Sequence, residues 1–175
     1  ESLIPELIFG YDRDTLESVA GRWLLARSAM LGVAESCTGG YLAHLMTSVP
    51  GSSRYFAGGV VAYDNAIKVN QLGVDPALIS IHGAVSREVV EAMAEGVRDL
   101  LQTHYALATS GIAGPDGGTA DKPVGSIWIA VTGPHGTFSK LFQFGHARER
   151  NIRLASLSAL NMLRTYDAMN DTSER

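Results

Sequence analysis

The chain has 175 residues, 46% hydrophobic and 18% charged, and fourteen Lys+Arg against eighteen Asp+Glu give a formal charge of −4. This is the composition of one soluble globular domain, and it excludes intrinsic disorder, which needs low hydrophobicity and high net charge. The acidic balance argues against general nucleic-acid binding, which needs a basic footprint, and no stretch nears the roughly 18 unbroken apolar residues of a membrane span.

In chain order, Asp14 starts a helix, with Glu17 completing a capping-box pattern and Leu16, Val19, Ala20, Trp23 and Leu24 on one apolar face. Leu31 to Ala34 reads as a strand, Tyr41 to Ser48 as a helix, Val60 to Tyr63 as a second strand and Ile67 to Leu72 as a short helix. Ser86 is expected as an N-cap, followed by the buried stripe Val89, Met93, Val97 and Leu100. Tyr105 to Thr109, Ile127 to Thr132 and Phe138 to Phe144 read as strands, the last two joined by the hairpin turn Gly133-Pro134-His135-Gly136. A final helix runs from Arg148 to Tyr166. Strands alternating with helices predict an α/β fold: a three-layer α/β/α sandwich around a mixed, mostly parallel sheet with an antiparallel hairpin near the C-terminus. One domain over residues 1–175 is expected.

Chemistry concentrates where small polar residues meet clustered glycines. In open α/β sheets ligands bind beyond the carboxyl ends of strands, and three segments fall there. They are Glu35-Ser36-Cys37-Thr38-Gly39-Gly40, Tyr63-Asp64-Asn65-Ala66-Ile67-Lys68, and Thr109 to Gly118. The first has the layout of a nucleophile followed by a helix start, where the N–H groups of Thr38, Gly39 and Gly40 are expected unpaired, ready for an oxyanion or a phosphate. A P-loop ending and a Gly-x-Gly-x-x-Gly run are both missing, which removes support for triphosphate and Rossmann-type readings. Ser36 alone reads more often as an N-cap than as a nucleophile, and a nucleophilic serine needs a base. None of the five histidines lies in these segments (His82, for one, falls in a loop). Lys68 is either a solvated helix lysine or, if buried, a neutral base. Cys37, one residue before the helix start, is either a thiol of lowered pKa or a small buried hydrophobe. No His/Asp/Glu cluster has metal-ligand spacing, so neither metal nor cofactor is expected.

These segments, with Pro50-Gly51-Ser52-Ser53, Gly83-Ala84-Val85-Ser86 and Lys122-Pro123-Val124-Gly125, give the chain from Leu31 to Leu163 a resemblance to the CinA C-terminal domain family. That resemblance implies a nicotinamide-nucleotide amidohydrolase, which releases ammonia from nicotinamide mononucleotide to leave nicotinate mononucleotide. It implies Ser36 as nucleophile, Lys68 as its base and Tyr63 as an assisting hydroxyl. Thr38, Gly39, Gly40, Ser110, Gly111 and Gly114 are then the expected substrate-binding residues. The family's Gly-Asp-Arg segment, with its arginine near the substrate phosphate, appears here as Gly145-His146-Ala147-Arg148, one residue longer and without the aspartate. Arg148 is the best match, with Arg150 and Arg153 as substitutes.

Leu7-Ile8-Phe9-Gly10-Tyr11 resembles the segment that precedes this domain in two-domain members, and residues 1–13 read as the remnant of that linker. Glu1 rather than Met at the start fits a processed chain or a piece of a longer one, and the domain is either stand-alone or a fragment of the two-domain form. A small-molecule substrate, no nucleic-acid or membrane partner, a homo-oligomer and a cytoplasmic location are expected. The Asn170-Asp171-Thr172 glycosylation pattern is idle in that compartment. The alternative function is a non-catalytic nucleotide-binding domain.

Overall fold

The structure, a computed structural model, describes residues 14–168; the linker expected at residues 1–13 and the Asn170 pattern lie outside them. Helix α1 (Leu16–Ala26) starts at Thr15 rather than Asp14. The Thr15 and Ser18 hydroxyls exchange hydrogen bonds with each other's backbone N–H groups, while Asp14 pairs with Arg22 at 2.7 Å instead of capping. After β1 (Leu31–Glu35) and α2 (Tyr41–Thr47), a single 3-10 turn leads into β2 (Phe56–Val61).

The second strand therefore lies earlier than its Val-Val-Ala-Tyr run suggests. Gly58 and Gly59 belong inside it, because a side chain at Gly59 would meet Val33 on β1. Tyr63 is left just beyond the strand end. Helix α3 (Asn65–Leu72) begins with Asp64, whose carboxylate accepts the Ala66 N–H at 2.7 Å, and stops at Gly73 with φ 67°. An unforeseen short helix, α4 (Pro76–His82), follows from an Asp75 cap with proline in its first turn. His82 thus ends a helix rather than sitting in a loop. Ser86 caps α5 (Arg87–Leu101) as expected, and β3 (Tyr105–Gly111), β4 (Ser126–Gly133), β5 (Gly136–Gln143) and α6 (Arg148–Arg164) complete the order.

The five strands form one sheet in the order β2-β1-β3-β4-β5. β1 is parallel to both neighbours, whereas β3/β4 and β4/β5 pair antiparallel, so β4 alone runs against the rest. Strand period two splits the core. Leu31, Val33, Leu107, Ile127, Ile129 and Val131 face α1, α2 and α6, where Leu24, Leu42, Met46 and Leu160 meet them. The opposite face carries alanines (Ala34, Ala106, Ala108 and Ala130) against Val89, Val90, Met93 and Val97 of α5. Small residues there let α5 sit close on the sheet. β1 leads to β2 on one side and borders β3 on the other, so the strand order reverses between β1 and β3, the position where α/β sheets open a crevice. Among the described residues no helix is long and apolar enough to cross a membrane.

A candidate active site at the strand ends

Ser36 follows the last residue of β1, and its N–H donates to Thr109 O on β3 at 3.0 Å, fixing it at the reversal point. The turn beyond it is organised by Glu35. This carboxylate is 1% exposed and accepts the N–H groups of Gly40 and Leu42 at 3.0 Å and of Ala43 at 2.8 Å. The Gly39 N–H donates to Ser36 O at 3.2 Å. The expectation of unpaired amides at Gly39 and Gly40 is therefore corrected: the protein's own carboxylate fills the start of α2, as the orphan N–H groups of a helix require. Both glycines have left-handed backbone, φ 59° and 99°, which shapes this turn. The Thr38 hydroxyl is spent inside the domain, 2.7 Å from Thr109 Oγ1. Among the described residues, the Cys37 and Thr38 amides of this turn have no acceptor in another residue.

Lys68, on α3, is 1% exposed, and its Nζ donates to Ala62 O at 2.8 Å and to Tyr63 O at 3.3 Å. Burial holds its pKa below the ordinary lysine value, against a smaller opposing pull from Asp64. A neutral amine has two N–H bonds and one lone pair. With both N–H bonds satisfied by carbonyls, the lone pair is left to accept a proton.

Ser36, Cys37, Tyr63, Lys68, Ser110, Gly111 and Arg148 line one cavity of about 240 Å³ with Asn65, Ala84, Val85 and Ala113. Six of the ten residues singled out from sequence thus meet there, while Thr38, Gly39, Gly40 and Gly114 do not line it. Tyr63 is 60% exposed, and its hydroxyl accepts from Arg148 Nη2 at 3.2 Å. Arg148 is anchored through Nη1 to Gly114 O at 3.0 Å, so Gly114 acts through its carbonyl. The buried Ser110 hydroxyl donates to Ala84 O at 2.7 Å and ties two residues of the cavity lining together. Of the two substitute arginines, Arg153 lines a different cavity, of about 440 Å³, with Asp14, Glu17 and Tyr41. Arg150 is exposed and is not among the residues lining the Ser36 cavity.

Cys37 is buried, and desolvation pushes its thiol up to about 12. The helix start does not lower it, because burial outweighs every favourable contact. Glu35, Asn65, Ala84 and Val85 were not assigned roles from sequence. Glu35 and the Gly83 to Ser86 run did lie in the segments carrying the resemblance, which was the available signal.

The molecule is thus an α/β domain with a serine and a desolvated lysine at the topological switch point of its sheet. A family model for the CinA C-terminal domain matches residues 13–166, and the chain belongs to that family. A CinA-like protein of Desulfotalea psychrophila is 48% identical over 166 residues, covering 95% of this chain and 40% of the relative. A CinA-like protein of Synechocystis sp. is 51% identical over 159 residues, covering 89% and 38%. The chain therefore spans about 40% of the length of these curated relatives. Among solved structures, the competence/damage inducible protein CihA from Agrobacterium tumefaciens superposes with TM-score 0.83 at 33% identity, over 90% of this chain and 99% of that one. The competence damage-inducible protein A (ComA) from Klebsiella pneumoniae gives 0.84 at 34% identity, over 87% and 95%.

Proposed function

We propose that this domain is a serine amidohydrolase that deamidates nicotinamide mononucleotide. Ser36 Oγ attacks the carboxamide carbon while neutral Lys68 takes the hydroxyl proton. The tetrahedral oxyanion is met by the amide of Cys37, which lines the cavity beside Ser36. Lys68 returns the proton to the departing nitrogen, ammonia leaves, and an acyl-Ser36 ester remains. Water, deprotonated by the same lysine, then attacks the ester and releases nicotinate mononucleotide. Tyr63 receives a hydrogen bond from Arg148, so its own hydroxyl proton is free to assist at the reacting carboxamide. Arg148 faces the phosphate.

The observation that carries this reading is the setting of Lys68. Desolvation favours its neutral form, two carbonyls take its N–H groups, and it shares a cavity with Ser36. A domain that only held a nucleotide has no use for a lysine of lowered pKa in one cavity with a serine hydroxyl. The test is ammonia release from nicotinamide mononucleotide, nicotinamide riboside and nicotinamide measured side by side. The mononucleotide should be the preferred substrate; equal rates on all three would remove the nucleotide from the reading, and no ammonia from any would remove the enzyme.

A further inference from the structure

Asn151 is fully buried in the first turn of α6, behind the cavity rather than lining it. Its Nδ2 donates to Ala113 O at 2.9 Å and to Gly145 O at 2.8 Å. Both neighbours are carbonyl acceptors, so the amide must present its nitrogen to them. Its Oδ1 is buried with no partner among the described residues. An orphaned buried acceptor is unfavourable, so the side chain's contribution comes from its two donor bonds.

The two acceptors belong to the two segments that frame Arg148. Ala113 precedes Gly114, whose carbonyl anchors Arg148 Nη1, and Gly145 lies just ahead of the helix start that carries Arg148. The segments are also bridged by the backbone of Gly125. Phe144 N–H donates to Gly125 O at 2.9 Å and Gly125 N–H to Ile112 O at 2.8 Å. A Cβ on Gly125 would collide with the Phe144 and Gly145 carbonyls. Asn151 is the side chain that bonds both the anchor and the root of Arg148.

We propose that Asn151 is a positioning residue for Arg148 and that, through Arg148, it sets the preference for substrates bearing a phosphate remote from the reacting amide. This rests on the reading that Arg148 faces that phosphate. Without the amide donors the two segments keep only the backbone link through Gly125 and the bond from Arg148 to Gly114 O, and the guanidinium is held less firmly in one direction. A substrate lacking the phosphate loses less, because Ser36 and Lys68 are carried by other elements and the change reaches it only through the contact of Arg148 with Tyr63.

The experiment compares kcat/KM on nicotinamide mononucleotide and nicotinamide riboside for wild type, Asn151→Leu, Asn151→Ser, Arg148→Ala and the Arg148→Ala/Asn151→Leu double variant. Asn151→Leu keeps the approximate size and removes both donors; Asn151→Ser keeps one donor and carries the test if the leucine variant does not fold. The mononucleotide-to-riboside ratio should fall on the order of tenfold in Asn151→Leu and less in Asn151→Ser. The double variant should be no worse than Arg148→Ala alone. Equal losses on both substrates, or an additive double variant, overturn the inference while a lowered ratio in Arg148→Ala leaves the phosphate reading standing. An unchanged ratio in Arg148→Ala overturns the phosphate reading and the inference with it. A wild type inactive on both substrates overturns the reading of the whole site.

Discussion

Lys68 Nζ lies 2.8 Å from the carbonyl oxygen of Ala62, six residues earlier in the chain, and this contact holds the amine at the cavity wall. Because burial lowers its pKa, the neutral, active form gains as pH rises. The rate should climb through an apparent pKa below ~10.4 and then level. The unfolded chain keeps the ordinary value, so between the two values it binds more protons than the folded protein. In that window the lysine makes stability increase with pH. Lys68→Arg should be nearly inactive, since arginine stays protonated. Lys68→Met should be inactive as well, because it has no lone-pair nitrogen to take the proton. An active Lys68→Arg enzyme contradicts the base assignment.

Cys37 gives the opposite expectation to its neighbour. With its thiol pushed up to about 12 by burial, it is protonated at neutral pH and a poor nucleophile. Cys37→Ala should keep most of the activity, and iodoacetamide should label the folded protein far more slowly than the unfolded chain. Rapid labelling that abolishes activity would favour a thiol enzyme.

Glu35 should prove costly to change. Glu35→Gln replaces one acceptor oxygen with an NH₂ group facing backbone N–H groups that now donate to the carboxylate. Losing charge-assisted bonds in a buried position should cost on the order of 2–3 kcal/mol, a Tm drop of roughly 4–12 °C at this length. Thermal unfolding of the variant checks it. An unchanged Tm would mean that the turn is held by its glycines alone.

The arginines separate by position. Arg148 meets Tyr63 and lines the Ser36 cavity, whereas Arg153 lines another. Arg148→Ala should lower kcat/KM on the mononucleotide roughly tenfold to a hundredfold, and Arg150→Ala and Arg153→Ala should leave it near wild type. Equal losses in all three would assign the arginines to structure.

What sequence made legible follows the range of the interactions involved. The Ser86 cap and the Gly133 to Gly136 hairpin depend on near neighbours, and the structure has them where expected. The convergence of Ser36, Tyr63, Lys68, Ser110, Gly111 and Arg148 on one cavity came from family-like segments rather than from periodicity. The misplaced features depend on distant partners. β2 was hidden by Gly58 and Gly59, of which Gly59 packs against Val33 on β1 with no room for a side chain. Asp14 has the residue type of an N-cap but is drawn to Arg22. The Glu35 carboxylate folds back onto α2, so amides that looked available in the sequence are occupied. Asn151 gave no signal, because its acceptors lie in two loops separated by the whole β4–β5 hairpin.

The central claim is that Ser36 deamidates nicotinamide mononucleotide, and the most direct measurement is product formation by wild type and Ser36→Ala at equal folded concentration. Wild type should release ammonia and nicotinate mononucleotide in equal amounts, and Ser36→Ala should be slower by at least about a thousandfold. A folded wild type that releases no ammonia, or a Ser36→Ala variant that keeps its rate, would contradict the account.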